Sequence, residues 1–202
     1  MDISKFIMLI ISAVFINNFI LSKFLGLCSF IGVSTHTKPA LSMGAAVTFV
    51  TTMASIISWL VYRFILQPYN LTYLRTISFI LVIASFVQLV EIFIKKTSPG
   101  LFKAFGIYLP LITVNCAVLG VAVLNSEMFF LDGHALESSF LMSVVQGFAA
   151  GIGYTLAMFL MSGIRERLEL LDQPASLKGI PITFIIASLM SLAFLGFSGF
   201  KI

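Results

Sequence analysis

Six apolar runs follow one another along the chain, at about residues 3–21, 41–66, 77–94, 105–124, 140–164 and 181–200. Each is near the ~20 residues that a helix needs to cross roughly 30 Å of hydrocarbon. Polar punctuation falls between them: Gln67-Pro68, Lys95-Lys96 with Pro99, Arg165-Glu166-Arg167, and Pro174 and Pro181. Proline near a run end costs no internal helix bond. The pattern predicts an all-α integral membrane protein with six transmembrane helices, forming one polytopic domain over residues 1–202. The first run continues through Asn17 and Asn18 instead of ending in a small-residue cleavage site, so no removable leader is expected.

Two stretches break the pattern. Lys23 to Val33 is apolar but only about 11 residues long, and it directly follows the first run. A stretch too short to cross predicts a re-entrant or half-helical segment. The second break lies inside the fourth run, where Pro110, Thr113, Asn115, Cys116 and Gly120 fall close together. Proline and asparagine at that depth predict an interrupted helix whose freed backbone groups find protein partners. An ordinary proline kink is the alternative reading.

Composition strengthens the membrane assignment. Apolar residues make up 59% of the chain and charged residues 10%, against about 25% charged in soluble domains. Mean hydropathy is +1.10. Phe supplies 21 residues, which suits a surface solvated by lipid. The net charge of +4 is not a nucleic-acid footprint, because the charges lie in short clusters between apolar runs. Their distribution does predict orientation. With the N-terminus outside, the cytoplasmic connections hold eight basic residues: Lys23, Lys38, Lys95, Lys96, Lys103, Arg165, Arg167 and Lys178. The outer side holds four: Lys5, Arg63, Arg75 and Lys201. Glu127, Asp132 and Glu137 lie in the connection between runs four and five, which has no basic residue. Positive charge favours the cytoplasmic side, so both termini are expected outside.

The two breaks fall in runs one and four, three runs apart. Residues 78–85 also resemble residues 183–188 (Thr-Phe-Ile-Ile-Ala-Ser). An odd number of spans per half predicts a 3+3 inverted repeat, with halves of approximately 1–98 and 99–202. Such repeats place function at broken helices near the midplane.

The chemistry-bearing candidates at the breaks are Cys28 and Cys116, one in each, about 90 residues apart. A membrane cysteine is often a small apolar filler. The functional alternative is metal or cluster ligation by thiolates, which helix N-termini favour. Two thiolates do not complete a [2Fe–2S] site of four ligands, so a cluster implies a second chain. Two cysteines also cannot build a disulfide framework. Asn17, Asn18, Asn115, Gln88 and Gln146 are expected in interhelical hydrogen bonds, and Glu91 in an ion pair with Lys95 one turn on. Gly147 and Gly151 form a GxxxG pattern, with Gly153 beyond, that predicts close helix packing. Lys23 either snorkels to the surface or balances charge near the first break. His36 and His134 fall in connections with no metal-like neighbours. Nothing in the chain reads as a catalytic triad, a phosphate loop or a nucleotide fingerprint.

Several stretches resemble a known family. They are Asn17-Asn18-Phe19, Phe24-Leu25-Gly26-Leu27-Cys28, Tyr73-Leu74-Arg75-Thr76, Gln88-Leu89-Val90-Glu91, and the run LPLITVNCAVLG from Leu109 to Gly120. The resemblance covers essentially the whole chain. It is to the membrane subunits represented by the A-type subunit of the Rnf complex, an ion-translocating ferredoxin:NAD+ oxidoreductase. The E-type subunit of the sodium-pumping NADH:quinone oxidoreductase is similar but usually lacks the Asn-Asn pair. The family commonly has proline after the first cysteine, where this chain has Ser29; that loosens the local turn and leaves the ligand in place.

The resemblance implies six spans in an inverted repeat, in the bacterial cytoplasmic (inner) membrane. It implies a homologous partner of opposite topology, the E-type subunit of the Rnf complex, beside the B-, C-, D- and G-type subunits. It further implies one [2Fe–2S] cluster near the membrane centre, bound by two cysteines of each chain, here Cys28 and Cys116. The chain would hold no catalytic residue of its own. Ferredoxin and NAD+ react on the cytoplasmic side, and the flavin-bearing G-type subunit exposes its cofactor outside. A cluster at mid-depth divides a gap of about 30 Å into two shorter electron steps. Reducing it would bias an alternating-access element and drive Na+ or H+ movement. The rival class is a transporter or scaffold without a redox centre, since broken helices and inverted repeats suit an ion carrier equally well.

Overall fold

The computed structural model describes residues 3–69, 72–97, 111–112, 115–130, 136–170 and 179–196. All regular structure among them is helical. Helix α1 spans Ile3–Ile11 and widens into a π-helical turn at Ser12–Ile16. A short helix, α2, covers Leu27–Val33. Helix α3 runs Thr37–Val61 and widens at Tyr62–Leu66. Helix α4 is Arg75–Thr97, after a 3-10 turn at Thr72–Leu74. Helix α5 is Cys116–Asn125, widening at Ser126–Phe130. Helix α6 is Leu136–Glu169 and α7 is Ile180–Leu195.

Three apolar helical stretches are long enough to cross a membrane: Thr37–Leu66, Arg75–Ile92 and Ser139–Glu169, of 30, 18 and 31 residues. At 1.5 Å per residue they reach about 45, 27 and 46 Å. Shorter apolar stretches cover Phe6–Ile16, Cys116–Phe129 and Ile180–Leu195. Every predicted run therefore contains or overlaps an apolar helix, and three of these helices are too short to match the runs drawn from hydropathy. Large apolar side chains face outward, among them Phe64, Ile77, Leu81 and Leu89. A surface of that kind needs lipid or another membrane protein as its solvent.

Several helix ends differ from the hydropathic boundaries. The first helical segment stops at Ile16, five residues before the apolar run does. Helix α6 continues through Arg165-Glu166-Arg167, the charges expected to stop it. Hydropathy registers where lipid gives way to water, whereas hydrogen bonding decides where a helix ends. Residues 105–110 and 113–114 of the fourth run, Pro110 and Thr113 among them, lie outside the described residues.

The chain divides into two compact units, one of Met1–Thr48 with Ala149–Ile202 and one of Phe49–Phe148. In the first, α3 and α6 touch at small residues. A Cβ on Gly151 would lie 2.6 Å from Thr48 Cα, and one on Gly44 would lie 2.7 Å from the Thr155 methyl carbon. The Thr48 and Thr155 hydroxyls lie 3.2 Å apart, so the same approach carries an interhelical hydrogen bond. Gly153 in turn lets Val14 of the first π turn come close, with a built Cβ 3.2 Å from Val14 Cα. The glycine pattern of α6 thus does what its spacing predicts. In the second unit, Gly147 of α6 packs against Ser55 and Thr51 of α3. Trp59 and Phe140 meet edge to face at 5.0 Å between ring centres, and α4 packs on α5.

Candidate functional site

Asn18 builds the turn that leads to Cys28. Its side-chain amide donates to the Val14 carbonyl at 3.1 Å and to the Gly153 carbonyl at 2.9 Å. Its side-chain oxygen accepts from the Ile20 and Leu21 backbone N–H groups at 3.2 and 3.5 Å. A helix that stops inside an apolar environment frees backbone groups that water cannot reach. One buried asparagine satisfies three of them here, the Val14 carbonyl and the Ile20 and Leu21 N–H groups, and its bond to Gly153 ties the turn to α6. The chain then loops back on itself, with Leu25 N–H donating to the Phe19 carbonyl at 2.9 Å. Two residues in the loop take left-handed backbone conformations, Phe24 at φ 55° and Gly26 at φ 83°. Gly26 suits that conformation; Phe24 is strained in it.

Helix α2 follows directly, and Cys28 is its second residue, exposed on the surface of the chain. Ser29, which stands where proline is common in the resembled family, is buried. Its hydroxyl donates to the Gly26 carbonyl at 3.0 Å and lies 2.6 Å from the Tyr154 hydroxyl of α6. Ser29 therefore supplies a tether from the cysteine turn to α6. At the far end of α2, the Arg165 guanidinium donates to the Ile31 carbonyl at 2.8 Å and to the Ser34 hydroxyl at 3.0 Å. Beside it, Glu166 accepts from the Thr37 backbone N–H at 2.8 Å, at the start of α3. The charges of α6 thus hold the α2–α3 elbow, which is why the helix continues past them. Lys23 and His36 are exposed near the two ends of this segment.

Cys116 is the first residue of α5. Asn115 before it is extended, with φ −73° and ψ 112°, and its side-chain oxygen accepts from Ala117 N–H at 3.0 Å. This is an N-cap, so the helix is interrupted at Asn115 itself, five residues beyond Pro110. The cap leaves Cys116 exposed in the first turn of the helix. Cys28 belongs to the first unit and Cys116 to the second. Among the described residues, no three His, Cys, Asp or Glu side chains gather into a metal-binding group.

The other polar expectations divide. Asn18 makes the interhelical bond predicted for it. Asn17 instead donates within its own segment, to the Ser12 hydroxyl at 3.2 Å, and the described bond of the Asn115 side chain is its local cap. Gln146 is buried on α6. Gln88 faces outward on α4, so the interhelical reading does not hold for it within the chain. The Lys95 side chain and His134 lie outside the described residues, so the Glu91 pair and the second histidine connection do too. Sequence reasoning missed the buried Asn125–Ser55–Ser143 cluster, the Tyr154 tether and the Arg165 clasp. The only sequence signal for the clasp was the charge triplet at residues 165–167.

Apolar helices, an outward apolar surface and capped interruptions bearing exposed cysteines define a helical membrane protein with two broken segments. The chain matches the family described as "Rnf-Nqr subunit, membrane protein" over residues 6–201. It is 53% identical to the A-type subunit of the Na+-translocating ferredoxin:NAD+ oxidoreductase complex of Acetobacterium woodii, over 97% of this chain and 98% of that one. It is 52% identical to the A-type subunit of the ion-translocating oxidoreductase complex of Azoarcus sp., and 49% identical to the A-type subunit of the proton-translocating ferredoxin:NAD+ oxidoreductase complex of Clostridium ljungdahlii. Each of these matches covers 97% of both chains. The chain belongs to the Rnf-Nqr family of membrane subunits.

Proposed function

We propose that this chain is the A-type membrane subunit of an ion-translocating ferredoxin:NAD+ oxidoreductase complex. In that reading it carries electrons across the membrane through a [2Fe–2S] cluster shared with a homologous partner chain. The Acetobacterium, Azoarcus and Clostridium relatives, about 50% identical over nearly their full lengths, support the complex and its reaction. One structural observation carries the cluster: each of the two interruptions presents an exposed cysteine in the first turn of a helix.

The donor chemistry fits. Thiolates are the usual ligands of such a cluster, and four are needed. This chain has two cysteines, so a second chain supplies the other pair. Exposure of both thiols suits ligands that must meet a partner. The bound cluster would accept and release one electron at a time. This chain's residues would hold the ligands: Asn18, Ser29 and Arg165 fix the Cys28 segment, and Asn115 fixes Cys116. The E-type subunit, of opposite topology, is the proposed partner, with the B-, C-, D- and G-type subunits completing the complex in the bacterial inner membrane. The transported ion is Na+ or H+, both represented among the relatives' names.

Two contacts support alternating membrane crossings. In a chain that crosses at every span, the first and fifth connections lie on one side and the second and fourth on the other. Arg165 reaches Ile31 and Ser34, joining the first and fifth. Arg75 pairs with Glu127 at 2.6 Å, joining the second and fourth. The test of the cluster is iron and acid-labile sulfide per polypeptide, with and without the partner chain. About one cluster per heterodimer is expected, and none on the chain alone. Two irons on each isolated chain would overturn the shared site.

A further inference from the structure

The second unit contains a buried polar cluster around Asn125 that the proposed cluster ligands do not use. Asn125 ends α5 and is fully buried, as are Ser55 and Ser143. The Asn125 amide nitrogen donates to the Ser55 hydroxyl at 3.1 Å and to the Ser143 carbonyl at 3.3 Å. The Ser55 hydroxyl in turn donates a hydrogen bond to the Thr51 carbonyl at 2.9 Å. These bonds fix the orientation of the amide. Only its NH2 can face a carbonyl, and the Ser55 hydroxyl has already committed its hydrogen. The Asn125 side-chain oxygen must point the other way. It is the one buried side-chain N or O atom without a hydrogen-bond partner among the described residues.

An orphaned acceptor in a membrane interior is costly, since no bulk water reaches it. Something must meet that oxygen, and it must be a donor or a cation. The location favours a cation. Asn125 stands about one turn before the end of the apolar helical stretch Cys116–Phe129, toward the negative end of its dipole. The following residues, Ser126–Phe130, widen into a π turn, a distortion often found at functional positions. No buried residue of this unit is charged among those described; the buried polar set is hydroxyl and amide. Neutral oxygen donors suit a monovalent ion, whereas Ca2+ and Mg2+ sites draw on carboxylates.

We propose that the Asn125 side-chain oxygen is a ligand in an intramembrane site for a dehydrated monovalent cation, with Na+ as the occupant. The site rests on the ion-translocating reading above and locates a binding step for the ion within this chain's second unit. Two measurements on the assembled, detergent-purified complex test it, with NaCl replacing choline chloride at constant ionic strength. One is the thermal midpoint as a function of Na+; the other is the Na+ concentration that half-saturates ferredoxin-dependent NAD+ reduction. Asn125→Ala should raise that concentration by about tenfold or more and abolish the Na+-dependent shift in midpoint, with iron per complex unchanged. Asn125→Ser keeps a shorter oxygen donor, so it should raise the half-saturating concentration less than Asn125→Ala and retain part of the Na+-dependent shift. If Asn125→Ala fails to assemble, Asn125→Ser decides alone.

Identical Na+ titrations in wild type and both variants would overturn the site and leave a buried water on the oxygen. A wild-type complex indifferent to Na+ would overturn it as well. Absence of iron from a wild-type complex that Na+ still stabilises through Asn125 would remove the redox reading and keep this one.

Discussion

The Arg165 guanidinium donates to the Ile31 carbonyl at 2.8 Å, tying the last turns of α6 to the end of the helix that bears Cys28. The carbonyls at the end of α2 have no partners further along their own helix. A cation placed there both satisfies one of them and opposes the negative end of the helix dipole. Arg165→Gln should therefore loosen the α2–α3 elbow, at a cost of about 1–2 kcal/mol for the lost charged hydrogen bonds. The expected readout is faster maleimide labelling of Cys28 in the absence of partner, with labelling of Cys116 unchanged. Equal acceleration at both cysteines would mean general destabilisation instead. Arg165→Lys should recover much of the effect, since a single guanidinium nitrogen donates to both Ile31 and Ser34 and an ammonium carries three donors on one nitrogen.

Asn18 is the most consequential single side chain in the first break. Asn18→Ala strands the Val14 carbonyl, breaks the tie to Gly153 of α6 and withdraws an acceptor from the Ile20 and Leu21 N–H groups. A total loss of about 3 kcal/mol is expected, because each buried orphan costs roughly 1–3 kcal/mol and some will find new partners. Asn18→Asp should be worse, since a carboxylate would face two carbonyl oxygens in an apolar setting. Thermal unfolding of the purified complex measures both. A midpoint within one degree of wild type for either variant would contradict the role assigned to Asn18.

Much of the fold was legible because bilayer thickness sets helix length. A run of about 20 apolar residues has few alternatives to a membrane helix. The breaks were legible for related reasons: Lys23–Val33 is too short to cross, and Pro110 and Asn115 are residues that a plain membrane helix does not need. The helix ends were less legible. Asn17 ends the first segment five residues early, because the Asn18 side chain offers the backbone partners that allow it to turn. Arg165 does not end α6, because its charge is used against α2. The buried hydroxyl cluster left almost no trace, as serine is close to neutral in hydropathy and Asn125 lay at the edge of an apolar run. The match between residues 78–85 and 183–188 illustrates how weak short apolar matches are. Phe79 is fully buried, while its counterpart Phe184 is 52% exposed.

Glycines of α6 and its neighbours separate packing from helix propensity. A methyl group on Gly151 would meet the Thr48 backbone at 2.6 Å, and backbone cannot rotate aside. Gly163, on the same helix, has nothing within 4 Å of its would-be methyl. Gly151→Ala should therefore destabilise by about 1–3 kcal/mol through overpacking. Gly163→Ala should be neutral or stabilise by up to about 1 kcal/mol, from reduced chain entropy. The pair is measured by thermal unfolding of the two variants side by side. Equal effects would show that the α3–α6 approach is looser than it looks.

Replacing either cysteine tests the proposed ligands. Cys28→Ser and Cys116→Ser should each abolish the cluster spectrum and ferredoxin-dependent NAD+ reduction through the membrane complex. Serine keeps the volume and removes the sulfur, so assembly of the complex should survive, as monitored by co-purification of the partner. Because Cys28 and Cys116 are exposed on this chain, neither change removes a buried packing group. An intact cluster spectrum in either variant would remove that residue from the ligand set.

The orientation of the chain is open to a direct test. Eight basic residues fall in the connections assigned to the cytoplasm and four on the other side. Lys and Arg near span ends resist translocation, so the richer side stays inside. Two of the eight, Lys23 and Lys38, flank the elbow that Arg165 clasps, so one clasped region gathers basic residues from both connections. Within the second unit, the acidic connection holding Glu127 pairs with Arg75 at 2.6 Å. A reporter active only outside the cytoplasm, fused after Ile202, should therefore be active, and a cytoplasmic reporter at the same position should be silent. The partner chain, if it has the opposite topology, should give the reverse result with the same two fusions. A cytoplasmic signal from the fusion at Ile202 would invert this chain, place its basic residues outside, and exchange its role with that of its partner.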